Sequence, residues 1–265
     1  MRVMSYNTLF GGFDGSDDRR RNDQLTLIHD TDPDVLLIQE AKDYTASGSA
    51  LLYATEQALG RRGFVAEAPI TGQHTAIFLK PELQPLSFEA DAAHFHHAAA
   101  MLRFRVPSFA QPWMALSVHL CPNGTDVRLR EASYLAQHAV DDALVLIGGD
   151  FNSVSPADVE PDGLDGLPTR FRIRYAGPDG RADRRTLALL LQAGFTDVAV
   201  KLERHGVPTV PGAGFEYTEF VPFRSDYLLA SAALAQRART YSVIRSPITD
   251  AASDHYPIVA EFGED

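Results

Sequence analysis

Asn7, Glu40, His119, Asp150, Asn152, Asp226, Asp254 and His255 share one property: each stands where a short apolar run stops or is about to start. Asn7 closes Arg2 to Tyr6, Gln39-Glu40 closes Val35 to Ile38, and His119 follows Trp113 to Val118. Gly148-Gly-Asp150-Phe-Asn152-Ser follows Leu144 to Ile147, whereas Asp226 and Asp254-His255 come just before apolar runs. Singly, each has a plain explanation. Asn, or Asp after Gly-Gly, forms Asx turns; a lone Glu is usually a solvated carboxylate; a His between Val118 and Leu120 is more often a hydrogen-bonded core residue. Asp254-His255 before Tyr256-Pro257 reads as turn chemistry. Those explanations do not cover the repetition at strand ends.

Together the residue types suit phosphate ester hydrolysis, which needs a hard cation, a positioned water and groups that stabilise added negative charge. Glu40 and Asp254 offer the oxygen ligands that Mg²⁺ prefers. Asp226 beside His255 would orient the imidazole and raise its proton affinity. Asn152 can donate an amide hydrogen to a phosphate oxygen, and Asp150 can accept a proton from water.

The elements that must position these groups are visible as alternating apolar runs. Strands are predicted at Arg2 to Tyr6, Val35 to Ile38, Ala76 to Leu79, Ala99 to Phe104, Trp113 to Val118, Leu144 to Ile147, Tyr227 to Leu229, Thr240 to Ile244 and Ile258 to Phe262. Helical patterns cover Asp18 to His29, Ser49 to Leu59, Asp126 to Val140 and Arg184 to Ala193. Many strands with few helices imply layers of sheet with helices outside. In a mixed sheet the ends of some strands and the beginnings of others share a rim, where the polar residues would meet.

The chain of 265 residues, 45% hydrophobic and 22% charged, is long enough for a full core. We expect one domain over 1–265, with a long loop insertion at about 155–182, rich in Pro, Gly and Asp around Arg170 to Arg174. Gly206 to Pro222 is a second turn-rich piece. No internal repeat is visible. The single Cys121 excludes an internal disulfide and a thiolate metal cage. No signal segment and no apolar stretch of bilayer-spanning length is visible, so a cytoplasmic protein without a membrane span is expected. The formal charge of -11 argues against non-specific coating of a phosphate backbone. Only three of its 24 basic residues are lysine; the excess of arginine, suited to bidentate grips on phosphate, is equally explained by composition bias.

In this order, Ser-Tyr-Asn7, Ile-Gln-Glu40, Val-His119-Leu, Gly-Gly-Asp150-Phe-Asn152-Ser, Ser-Asp226-Tyr-Leu-Leu and Ser-Asp254-His255-Tyr-Pro resemble the motif set of the endonuclease/exonuclease/phosphatase superfamily, the deoxyribonuclease-like fold. The resemblance spans nearly the whole chain. It implies a four-layer α/β sandwich, two packed, mostly antiparallel (mixed) β-sheets flanked by helices, with a divalent metal site, Mg²⁺ or Mn²⁺, at one edge. It implies Glu40 as principal metal ligand, supported by Asn7, and Asp254 as a further ligand. It implies that Asp150 and Asn152 orient or deprotonate the water and hold phosphate. His255, steadied by Asp226, would be general base or phosphate-binding cation; His119 would bind phosphate or protonate the leaving group. Ser225 is a departure, since relatives often carry an aliphatic residue before the Asp.

Three residues are secondary substrate-binding candidates. His74 sits in a loop feeding a strand, against the plain alternative of a surface loop. Arg128 opens the helix after His119, against solvation or pairing with Glu131, and Arg224 precedes Asp226 by two. His94, His96 and His97 around Phe95 are metal-binding types, but they lie away from the motif residues in sequence and show no paired carboxylates. The basic Arg170 to Arg174 piece is ringed by acids, which disfavours duplex clamping. The expectation is a metal-dependent phosphoesterase acting on a phosphorylated small molecule or single-stranded nucleic acid, with no evident protein partner. The alternatives are a DNA or RNA endo- or exonuclease, and a non-hydrolytic ligand-binding or biosynthetic protein reusing the cleft.

Overall fold

The computed structural model describes residues 1–215 and 219–264. Residues 216–218 of the turn-rich stretch and Asp265 lie outside the described residues. The chain forms β1 (Arg2–Asn7), α1 (Arg19–Thr31), β2 (Val35–Gln39), α2 (Ala46–Leu59), β3 (Arg62–Ala66), β4 (Thr75–Leu79), β5 (Gln84–Asp91), β6 (Ala99–Arg105) and β7 (Trp113–His119). Then come α3 (Thr125–Leu135), β8 (Leu144–Asp150), α4 (Thr169–Tyr175), α5 (Arg185–Gln192), β9 (Thr196–Asp197), α6 (Val198–Lys201), β10 (Asp226–Ala230), α7 (Ala232–Ala235), β11 (Ala238–Val243), α8 (Pro247–Ala252) and β12 (Ile258–Phe262). The strands make two six-stranded sheets, ordered β11-β12-β1-β2-β4-β3 and β5-β6-β7-β8-β10-β9. Each is antiparallel except for one central parallel pair, β1 with β2 and β7 with β8. Parallel neighbours need a long crossover, which α1 and α3 supply.

Side-chain alternation builds the layers. Val3, Val35, Leu37, Ala115, Leu144, Leu146 and Leu228 pack between the sheets. Their neighbours Met4, Tyr6, Leu36 and Ile38 face Leu27 and Ile28 of α1. On the other outer face, Leu116, Val118, Val145 and Ile147 face Ala132 and Leu135 of α3 and Leu187 and Leu190 of α5. Strands buried on both faces read as continuous apolar runs. The result is helices, sheet, sheet, helices, the four-layer sandwich expected.

All nine expected strands are present. The stretch expected as a loop is more ordered than its composition suggests: Thr169 to Tyr175 is helical, and Val154, Leu164, Tyr175 and Ala182 share a small core with Val210, Val221 and Phe223. No helix among the described residues is long and apolar enough to cross a membrane.

Register places the rim. His119 is opposite Asp150 in the parallel pair β7/β8, and Asp226 opens β10 opposite Asp150. Asn7 lies opposite Gln39 at the ends of β1 and β2, and β12, which follows Asp254-His255, pairs antiparallel with β1.

Candidate active site

Gly148 and Gly149 let β8 deliver Asp150. A Cβ on Gly149 would lie 1.8 Å from the backbone oxygen of Val118, so that position admits no side chain, and one on Gly148 would lie 2.5 Å from Leu37 Cδ1 and displace it. Two site residues just past strand ends take left-handed backbone, Glu40 with φ 58° and Asn152 with φ 48°. Such strain persists only where the surroundings over-determine it. Around Glu40 those surroundings are Ala41 N–H on His74 O at 2.8 Å and Thr8 Oγ1 on Gln39 O at 3.0 Å.

Asp150 is the hub. Its Oδ2 has four nitrogen neighbours: Asn7 Nδ2 at 3.2 Å, Asn152 Nδ2 at 3.3 Å, His119 Nε2 at 3.3 Å and His255 Nε2 at 3.5 Å. Its Oδ1 accepts from Ser225 Oγ at 2.7 Å and Asn152 N–H at 2.8 Å. Burial alone would raise this carboxyl, but His255, His119 and the hydrogen bonds hold it below its ordinary value. His255 Nδ1 meets Asp226 Oδ2 at 2.9 Å. Burial disfavours a charged ring, yet Asp226 and Asp150 on either side raise His255 well above its usual value. Burial pushes His119 down to about 4. Ser225, the departure from the family pattern, therefore has a defined partner.

The expected metal ligands occupy the more open side. Glu40 is half-buried; its Oε2 accepts Phe10 N–H at 2.9 Å and its Oε1 Asn7 Nδ2 at 3.4 Å. Burial first, then the charge of Asp254, pushes Glu40 up to about 7, and burial raises Asp254 as well. Crowded carboxylates whose charges oppose each other are the oxygen donor set a hard divalent cation suits. Asn7 turns its amide hydrogens to Glu40 and Asp150, while its Oδ1 accepts Leu9 N–H at 3.1 Å. Among the described residues, Asp150, Asp226 and His255 bring three ligand-type atoms within 4.8 Å of one another; there Asp226 and His255 are already paired with each other.

The three secondary candidates are placed elsewhere. His74 is buried with both ring nitrogens engaged, Nδ1 accepting Ala68 N–H at 2.9 Å and Nε2 lying 3.2 Å from Thr45 Oγ1. Arg128 is wholly buried and donates to Cys121 O, Ser153 Oγ and Arg174 O. Arg224 is spent on Asp158 and Asp197 at 3.0 and 2.7 Å. These contacts brace the site from behind.

Other contributors escape a reading of motifs. Arg20 and Gln24 of α1 donate to Thr8 O and Ala252 O, tying the segments after Asn7 and before Asp254. Thr209 Oγ1 accepts from Ser225 N–H and Asp226 N–H. His97 stacks on His119, centroids 4.2 Å apart at 22°, so its distance from the motifs in sequence misleads. His94, for its part, has a carboxylate partner, Asp91, at 2.8 Å.

A buried pair of His255 and Asp226 thus lies beside a donor-ringed Asp150 at the edge of a two-sheet sandwich. The profile of the Endonuclease/Exonuclease/phosphatase family matches residues 4–255, and the chain belongs to that family. Among solved structures, it is similar to an AP endonuclease from Archaeoglobus fulgidus, 20% identical over 99% of both chains with a TM-score of 0.69. A mannosyl-6-phosphatase from Bacteroides thetaiotaomicron is 16% identical over 99% of both chains, TM-score 0.68. TDP2 of D. rerio, complexed with single strand DNA product, is 16% identical over 99% of this chain and 98% of that one, TM-score 0.67. At these identities the likeness shows the fold. A search of curated proteins finds no significant match.

Proposed function

We propose that the protein is a divalent-metal-dependent phosphoesterase, with Mg²⁺ or Mn²⁺ as its ion and a small phosphorylated molecule as its substrate. The observation that carries this reading is the convergence of four side-chain nitrogens from separate segments on Asp150 Oδ2. Donors gathered round one anionic oxygen are equally suited to the oxygens of a phosphoryl group.

Glu40 and Asp254 would hold the ion, with Asn7 steadying Glu40. Once bound, it would neutralise charge on the phosphoryl oxygens. Asp150, ionised and fixed by Ser225 and Asn152, takes the proton of the attacking water. Asn152 and the neutral ring of His119 donate to phosphoryl oxygens, and the departing alkoxide takes its proton from solvent. His255, held between Asp226 and Asp150, serves as a fixed cation against the developing charge.

Two features support a small substrate. Phe220 stands edge-on to His255 at 5.6 Å with Tyr175 and Phe223 behind it, an apolar wall on that side. Three arginines of the adjoining segment are paired with acids, Arg174 with Glu219, Arg184 with Glu160, and Arg185 with Asp183 and Asp126, while Arg172 donates to Asp165 O and Arg170 lies over the Phe171 ring. A duplex clamp would present them to phosphates instead. The test is a panel of phosphate monoesters and oligonucleotides assayed with Mg²⁺, Mn²⁺ or EDTA. Phosphate release from monoesters that EDTA abolishes is expected; oligonucleotide shortening without monoester turnover would make it a nuclease, and metal-independent activity would overturn the reading.

A further inference from the structure

Arg20 of α1 engages all three nitrogens of its guanidinium behind the open side of the site. Nε donates to Asp14 Oδ2 at 2.7 Å, and Nη2 to Asp14 Oδ1 at 2.9 Å and Phe13 O at 3.1 Å. Nη1 and Nη2 both reach Leu9 O at 3.1 Å, and Nη1 reaches Ala252 O at 3.2 Å. One turn further along the helix, Gln24 Nε2 joins Thr8 O at 2.9 Å to Ala252 O at 2.7 Å. Both side chains are buried.

The segment held in this way is strained. Leu9, Phe10, Gly11 and Gly12 all take left-handed backbone, with φ of 46°, 57°, 69° and 83°; for Leu9 and Phe10 such a conformation persists only where the surroundings over-determine it. In it, two successive N–H groups turn to the site, Leu9 N–H to Asn7 Oδ1 at 3.1 Å and Phe10 N–H to Glu40 Oε2 at 2.9 Å. Gln24 also packs under the turn, since a Cβ on Gly12 would lie 2.5 Å from Gln24 Oε1. The other end of the bridge, Ala252 O, lies two residues before Asp254. Glu40 and Asp254 are close enough to oppose each other's charge, so the segments that carry them need a tie that holds before an ion arrives.

We propose that Arg20 and Gln24 are positioning residues for the metal site: by tying the loop 8–13 to the segment before Asp254, they hold Glu40 and Asp254 at the separation a divalent cation needs, and so set the affinity for the ion. This rests on the metal-dependent reading and deepens it. A guanidinium suits the task because its planar fork fixes several directions at once, whereas an ammonium is a point charge. Arg61 provides the comparison. It is similarly buried and donates to Pro33 O, Leu59 O and Asp32, but at the end of β2 away from Glu40.

The test titrates Mn²⁺ by calorimetry into metal-free wild type, Arg20→Lys, Gln24→Met and Arg61→Lys, with urea unfolding to give the stability of each. Arg20→Lys keeps the charge and loses the fork; Gln24→Met keeps the shape and loses the amide. Both should weaken Mn²⁺ binding by about tenfold or more, as removal of a partner behind a metal ligand does, while Arg61→Lys loses stability without moving the affinity. In the phosphate monoester assay, saturating Mn²⁺ should return kcat of Arg20→Lys to near the wild-type value, with more metal needed for half the rate. Unchanged affinity in both clamp variants, or an equal fall in Arg61→Lys, overturns the proposal. If Arg20→Lys fails to fold, Gln24→Met decides alone. A wild type that takes up no Mn²⁺ removes the metal-dependent reading and this proposal with it; a wild type that binds Mn²⁺ no better than the clamp variants removes the proposal alone.

Discussion

His255 meets Asp226 through Nδ1 at 2.9 Å, and this fixes which nitrogen it turns to Asp150. The contact sets ring orientation and charge together. Asp226→Asn keeps the shape but removes the carboxylate that holds the proton on the ring. We expect kcat for phosphate monoesters to fall by about 10² to 10⁴, with a much smaller change in KM. Steady-state kinetics check this; an unchanged kcat would mean that His255 takes no part in the reaction.

Glu40 carries a carboxylate where burial and Asp254 both disfavour it. In metal-free buffer, Glu40→Gln should therefore melt no lower than the wild type. Added MgCl₂ should raise the wild-type melting temperature, since a ligand that binds only the folded state stabilises it, and should barely move the variant. Thermal melts with EDTA and with MgCl₂ read both. An equal Mg²⁺ shift in the two proteins would remove Glu40 from the metal site.

Arg224, 3% exposed, joins Asp158 to Asp197 behind the site. Removing one partner of a buried pair leaves uncompensated charge, so Arg224→Met should cost about 3–5 kcal/mol in urea unfolding. An arginine that served only to touch substrate from the surface would cost about 0.5 kcal/mol or less.

Gly149 is opposed by Val118 O with no room for a Cβ. Gly149→Ala has to part β7 from β8 at the residues that carry His119 and Asp150. A loss of about 3 kcal/mol or more is expected, together with activity. A stable, active Gly149→Ala protein would contradict the tight strand approach.

What the sequence makes legible follows burial. Each of the four central strands β1, β2, β7 and β8 is packed on both faces, so it shows as an apolar run ending in a polar residue. The strands missing from the sequence reading, β3, β5 and β9, all lie at sheet edges. β5 is exposed or half-buried throughout and carries Pro85, Glu89 and Asp91, so no apolar alternation marks it. Helix α4 is hidden for a related reason: Arg170, Arg172 and Arg174 alternate with Phe171, Ile173 and Tyr175, a strand-like period, in a segment whose packing partner is another inserted stretch. At the site, residues at strand ends stand out by type and place. His97, Ser225 and Glu131 do not, because what defines them is a partner on another segment: His119, Asp150, and the two backbone N–H groups of His96 and Cys121.

Strand β12 lies between β11 and β1, and the Met1 amino group donates to Phe262 O at 2.9 Å. The strand that carries Asn7 is therefore flanked by one neighbour close in sequence, β2, and one distant from it, β12. Asp254 and His255 stand just before β12, so the long-range pairing that completes this side of the sheet also brings them beside Asn7: closing the sheet and assembling the candidate site are one event.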